Sequence, residues 1–97
     1  MRRKARLDSN QRELVAFAKK HGATVTHLHP LGRGIPDILI GYRGRNYLIE
    51  IKSSEKSKLS EDEQTFFNNW RGSASVITSK IDLIRLLDLP MSSLDLR

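Results

Sequence analysis

The chain has no cysteine. Neither a disulfide framework nor a thiolate zinc site is therefore open to it. No apolar run approaches the roughly 20 residues that span a bilayer. The basic start also lacks the apolar stretch of a secretory signal. No membrane partner is expected, and the cytoplasm is the expected location. Internal repeats and low-complexity segments are absent, and the strands lack the paired aromatics of an RRM, which disfavours an RNA-binding module of that kind. Acidic residues are the scarcer charge: 11 Asp and Glu face 17 Lys and Arg, a net charge of +6. That balance suits a polyanionic partner. A length of 97 residues gives a single domain over 1–97 with one modest core.

The most informative stretch is 35–52, IPDILIGYRGRNYLIEIK. Ile38-Leu39-Ile40 and Tyr47-Leu48-Ile49 are β-branched and aromatic runs on either side of Tyr42-Arg43-Gly44-Arg45, which supplies turn residues and a glycine for a positive φ. The pattern predicts a β-hairpin. With the turn centred between Arg43 and Gly44, residues whose numbers add to 87, as 43 and 44 do, lie opposite one another. Asp37 then faces Glu50, with Cβ atoms about 4.5–5.5 Å apart, and Lys52 shares their face because strand side chains repeat every second residue. Like charges held so close repel unless a positive group lies between them. Hard oxygen ligands at that spacing suit Mg²⁺ or Mn²⁺, with the Ile51 carbonyl as a further ligand. Lys52 would then orient or activate a water, or offset charge developing on a phosphate, which is phosphodiester hydrolysis chemistry. From the residues alone a plainer reading stands beside it: a Glu50/Lys52 pair on a solvent-facing edge, with Asp37 merely opening a strand after Pro36.

Pro36-Asp37 followed by Glu50-Ile51-Lys52 resembles the PD-(D/E)XK nuclease motif. Asn10-Gln11-Arg12-Glu13, Gly32-Arg33-Gly34-Ile35, Leu59-Ser60 with Gln64, and Trp70-Arg71-Gly72 extend the likeness over about Asn10 to Ser79. Together they resemble the virus-type replication-repair nuclease (VRR-NUC) family, in particular its stand-alone phage and bacterial members. The resemblance implies an α/β, restriction-endonuclease-like core with a mixed central sheet in the order α-β-β-β-α-β-α. It implies a Mg²⁺- or Mn²⁺-dependent deoxyribonuclease for junction, flap or other branched DNA in replication, repair or recombination, working as a homodimer like a Holliday-junction resolvase. Asp37, Glu50 and the Ile51 carbonyl would hold the metal, Lys52 would be the catalytic lysine, and Glu13 and Gln64 would support them, Glu13 as an extra metal or water ligand. The rival from another class is a non-catalytic, structure-selective DNA-binding protein with the same fold. Carboxylates facing a polyanion would give such a binder nothing.

The other segments follow in chain order. Arg2, Arg3, Lys4 and Arg6 form a basic arm over 1–8, read either as a phosphate-binding extension or as a solvated tail. A first helix starts near Ser9 or Asn10, with Glu13 placed for a capping box, an apolar stripe of Leu14, Phe17 and Ala18, and an end at Gly22. Residues 23–29 alternate as a strand. Its His27 and His29 lack an evident third nitrogen ligand, so a non-metal role is favoured. Arg33, in the glycine-punctuated loop before Asp37, and Lys56 and Lys58 after Lys52 are candidate DNA-backbone contacts. Ser60 to Glu63 opens a second helix as a capping box, with Phe66, Phe67 and Trp70 as its apolar stripe and Gly72 as its end. Residues 74–78 form a fourth strand, and Ser79 caps a last helix through Leu87. The helix and tail over 79–97, with Ile81, Leu83, Ile84, Leu86, Leu87, Leu89, Met91, Leu94 and Leu96, hold more apolar surface than so small a monomer easily buries. Part of it is expected to meet a second subunit.

Overall fold

The computed structural model describes residues 9–94. Arg2, Arg3, Lys4 and Arg6 of the basic arm, and Leu96 of the tail, lie outside the described residues. Along the chain run α1 (Ser9–Lys20), β1 (Thr24–His27), β2 (Ile38–Tyr42), β3 (Arg45–Ile51), α2 (Glu61–Asn69), β4 (Ala74–Ile77) and α3 (Lys80–Leu87), with 3-10 turns at His29–Leu31 and Met91–Leu94. The element order is the expected α-β-β-β-α-β-α. No helix among the described residues is long and apolar enough to cross a membrane.

The strands form one sheet in the order β1-β2-β3-β4. The first two pairings are antiparallel and the last is parallel. At the hairpin, Tyr42 pairs with Arg45 and Ile38 with Ile49, which is the register the turn predicts. Arg43 and Gly44 both have positive φ, 51° and 78°, as a type I′ turn demands, and that turn matches the right-handed twist of its strands. A slip of one residue would exchange the faces of every side chain. The parallel β3–β4 pair needs a crossover, and α2 lies in it.

Strand alternation gives the sheet two unlike faces. Ile38 and Ile40 of β2, Ile49 and Ile51 of β3 and Ile77 of β4 point to one side, where Leu14, Phe17 and Ala18 of α1 and Leu83, Ile84 and Leu87 of α3 complete a buried core. Burial of each isoleucine, leucine or phenylalanine side chain among them contributes about 1.5–3 kcal/mol. Gly22, at φ 96°, closes α1, and the Ala23 N–H donates back to the Ala18 carbonyl at 3.0 Å. Ser79 caps α3 as expected, its hydroxyl accepting from the Asp82 N–H.

Two expectations are corrected here. The stripe Phe66, Phe67 and Trp70 does not enter the core: α2 contributes no buried residue, and it ends at Asn69 with Trp70 already extended, so Gly72 is not its terminator. The apolar surplus of the last helix and tail is mostly absorbed within one chain. Leu83, Ile84 and Leu87 are core, and Leu86, Leu89 and Leu94 pack against it. Ile81 and Met91 remain exposed.

Candidate active site

The opposite face of the sheet, under α2, carries the charged residues. Asp37 immediately precedes β2, and Glu50 and Lys52 lie at the end of β3. Ladder parity turns the Ile51 N–H toward the β2 side, where the register puts Pro36. Proline has no N–H and ends the ladder there. Asp37 uses this gap: its Oδ2 accepts the Ile51 N–H at 2.8 Å. The same parity faces the Ile51 carbonyl toward Pro36, which has no donor to give it. The PD dipeptide therefore both stops the strand pairing and fixes a carboxylate against the end of β3.

Glu50 is only 3% exposed. Its Oε2 lies 3.4 Å from the Lys52 ammonium, while Oε1 is buried with no hydrogen-bond partner among the described residues. Burial, and next the charge of Asp37, push the Glu50 carboxyl up to about 8 from 4.5. Burial also raises Asp37, opposed by the Ile51 N–H it accepts. For Lys52 burial acts downward, yet the hydrogen bond to Glu63 and the charges of Glu63 and Glu50 hold it above its ordinary value. Lys52 is thus a charged ammonium in this arrangement.

In sequence, Glu63 signals only a helix cap. It does cap: its Oε1 accepts the Ser60 N–H at 2.8 Å. The same oxygen accepts from Lys52 Nζ at 2.7 Å. Burial tends to raise Glu63, but the Lys52 bond and the Ser60 N–H outweigh it and hold the carboxyl below its usual value. What brings α2 to this point is Gly34, at φ 77°. A Cβ there would sit 2.3 Å from the Asp62 carbonyl oxygen, so only glycine lets the loop abut the first turn of α2. Asn10, by contrast, does not cap α1. It lies inside α1, and its amide donates to the Lys52 carbonyl at 2.9 Å and to the Thr78 carbonyl at 3.3 Å, tying α1 across the ends of β3 and β4. His29 also approaches the cluster from the loop after β1.

The other named residues lie elsewhere. Glu13 is exposed and lines a groove of about 270 Å³ with Lys20, Lys80 and Leu94, none of them a member of the carboxylate cluster. Gln64 is exposed and donates along its own helix to Asn68 Oδ1 at 3.2 Å; the neighbouring Glu63 takes the inward position instead. Arg33, Lys56 and Lys58 are exposed. The rings of His27 and His29 meet edge-on at 6.2 Å. Among the described residues, no group of three or more His, Cys, Asp or Glu side chains is arranged to hold a metal ion. The donors at hand are the carboxylates of Asp37 and Glu50 and the Ile51 carbonyl. They fit a hard divalent cation, because the partnerless Glu50 Oε1 and the repulsion between the two carboxylates are both relieved by positive charge at that point.

The fold and site define an α/β domain with a mixed sheet and a polar cluster where β2 begins and β3 ends. A solved structure described as a VRR_NUC domain matches this chain with a TM-score of 0.63 at 24% identity, over 84% of this chain and 97% of the other. The chain therefore has the VRR_NUC fold. No family model matches it, and no curated protein does.

Proposed function

We propose that the chain is a VRR-NUC-type deoxyribonuclease that depends on Mg²⁺ or Mn²⁺. The observation that carries this reading is Glu50: a carboxylate 3% exposed, with one oxygen lacking a partner, set beside Asp37 and 3.4 Å from a lysine. A structural role alone would not favour such a group, since a buried charge without full pairing is costly. A cation site explains it.

Asp37, Glu50 and the Ile51 carbonyl would hold the metal, which when bound would polarise the scissile phosphate and make water a stronger acid. Asp37 is pinned by the Ile51 N–H, so its carboxylate needs little reorganisation to serve. Lys52, kept charged by Glu63 and Glu50, offsets negative charge developing on the phosphate and orients the attacking water. Glu63 is a positioning residue: it fixes the ammonium and anchors the start of α2. Glu13 and Gln64 have no step in this scheme. Arg33, Lys56 and Lys58 are exposed cations that would meet the DNA backbone. The substrate class is branched DNA, in replication, repair or recombination, and Ile81 and Met91 are the apolar remnant available to a second copy in a homodimer.

The test is cleavage of labelled duplex, flap and four-way-junction DNA with Mg²⁺, Mn²⁺ or EDTA, comparing wild type with Glu50→Ala. Cutting that needs the metal and disappears in the variant is the expected result. Binding without cutting by the wild type under every condition would favour the structure-selective DNA binder.

A further inference from the structure

We propose that the groove along the outer side of α2 is a stacking site for an unpaired nucleobase of the DNA substrate, so that this face selects DNA with a single-stranded segment. The proposal rests on the nuclease reading. It starts from a feature that reading leaves unexplained: α2 places aromatic residues at helical spacing, yet buries none of them.

Phe66 and Trp70 stack with ring centroids 5.1 Å apart and planes within 17°, and Phe67 meets Phe66 edge-on at 5.9 Å. The result is a flat, supported shelf whose outer member, Trp70, is 46% exposed. Gly72 makes room for it, since a Cβ there would lie 2.9 Å from the indole nitrogen. Along the shelf runs a groove of about 420 Å³ lined by Arg33, Asp62, Thr65, Phe66, Asn69 and Trp70.

Arg33 supplies the charge complementarity. It stands at φ 59° between Gly32 at 68° and Gly34 at 77°, a left-handed run that a non-glycine residue seldom adopts and that concentrates at functional sites. Among the described residues no ion pair or hydrogen bond holds its guanidinium, although Asp62 lines the same groove. An aromatic face, an uncommitted guanidinium and the Asn69 amide together match a nucleotide: the base stacks, the amide meets its edge and Arg33 meets its phosphate. Asp62 lines the groove at the helix start, so the base is assigned to the Trp70 end, and Arg33 offsets that carboxylate beside the phosphate. A base inside a duplex already has both faces covered by its neighbours. An unpaired one can turn a face to the indole.

The groove and the catalytic cluster share the first turn of α2, where Asp62 lines the one and Glu63 belongs to the other. Gly34 abuts the Asp62–Glu63 backbone, and Glu63 holds Lys52 at 2.7 Å. Asn69, the last residue of α2, lies six residues beyond Glu63, about 9 Å along the helix axis by the usual rise, and Trp70 follows it. A nucleotide near the cut phosphate can therefore reach it.

Trp70 is the sole tryptophan in the chain, so its fluorescence reports on this groove alone. The full chain is titrated in EDTA, at one fixed salt concentration, with an oligothymidylate, a flap duplex and a blunt duplex of equal phosphate count. The single strand and the flap should quench Trp70 and the blunt duplex should not. By anisotropy of labelled DNA, Trp70→Leu should lose about tenfold or more in affinity for the single strand, Trp70→Phe should keep most of it, and duplex binding should be unchanged in both. Circular dichroism confirms that the variants fold. Equal quenching by blunt duplex, or equal loss of duplex and single-strand binding in Trp70→Leu, overturns the proposal. So does DNA-independent self-association that Trp70→Leu abolishes, because a second copy would then occupy the shelf. Cleavage of the same DNAs with Mn²⁺ tests the nuclease reading separately: duplex cutting without selective quenching removes the shelf and leaves the nuclease, and selective quenching without cutting does the reverse.

Discussion

The two faces of the sheet obey opposite rules. On the α1/α3 face, isoleucines from β2, β3 and β4 meet leucines of α3 with exposures of a few percent, and no charge intrudes. On the α2 face, β3 buries a glutamate to 3% exposure and covers it with a helix that has no buried residue of its own. The first face lowers the free energy of the fold. The second stores unfavourable electrostatics, with two carboxylates pushed upward by burial, an imbalance that a bound cation would relieve.

The comparison can be broken from either side. The largest effect on the closed face should come from Leu83→Ala, which leaves a cavity against α1 and the sheet and should cost about 2–5 kcal/mol of stability by denaturant unfolding, with turnover per folded molecule little changed. On the open face Lys52→Ala should lower turnover by about 10²–10³-fold while DNA binding and the melting temperature hold; unchanged turnover would remove Lys52 from the chemistry. Gly34→Ala forces the first turn of α2 away and with it Glu63, for a loss of up to about 10²-fold in turnover. Circular dichroism should show little change in that variant, because α2 adds nothing to the core.

Much of the fold is legible in sequence because local rules determine it. The Arg43-Gly44 turn sets the register that opposes Asp37 to Glu50, and Ser60 and Ser79 announce their helices by capping chemistry. The open face is less legible. Glu63 satisfied a local explanation, the capping box, and nothing nearby in sequence indicates that the same oxygen also takes Lys52; that depends on Gly34 seating α2 over the strand ends. The helical spacing of Phe66 and Trp70 normally signals a core stripe, and here it faces outward. The apolar residues after Ser79 suggested a partner, but folding α3 back against α1 consumes most of them, a long-range contact that composition does not reveal.

Glu50 joins both halves of the account through pH. Its carboxyl is raised from 4.5 to about 8 in the folded chain, so its contribution to stability is fully present below pH 4.5 and is lost as pH rises through about 8. A divalent cation competes with the proton for the same oxygens, so it should stabilise the fold more at high pH than at low. The most direct measurement is therefore thermal melting of wild type and Glu50→Gln above the raised value and again well below it, with and without Mn²⁺. The account predicts that at high pH the metal-free variant melts above the wild type, that Mn²⁺ raises the wild type and leaves the variant unmoved, and that both differences shrink at low pH. A variant that gains as much from Mn²⁺ as the wild type would contradict it.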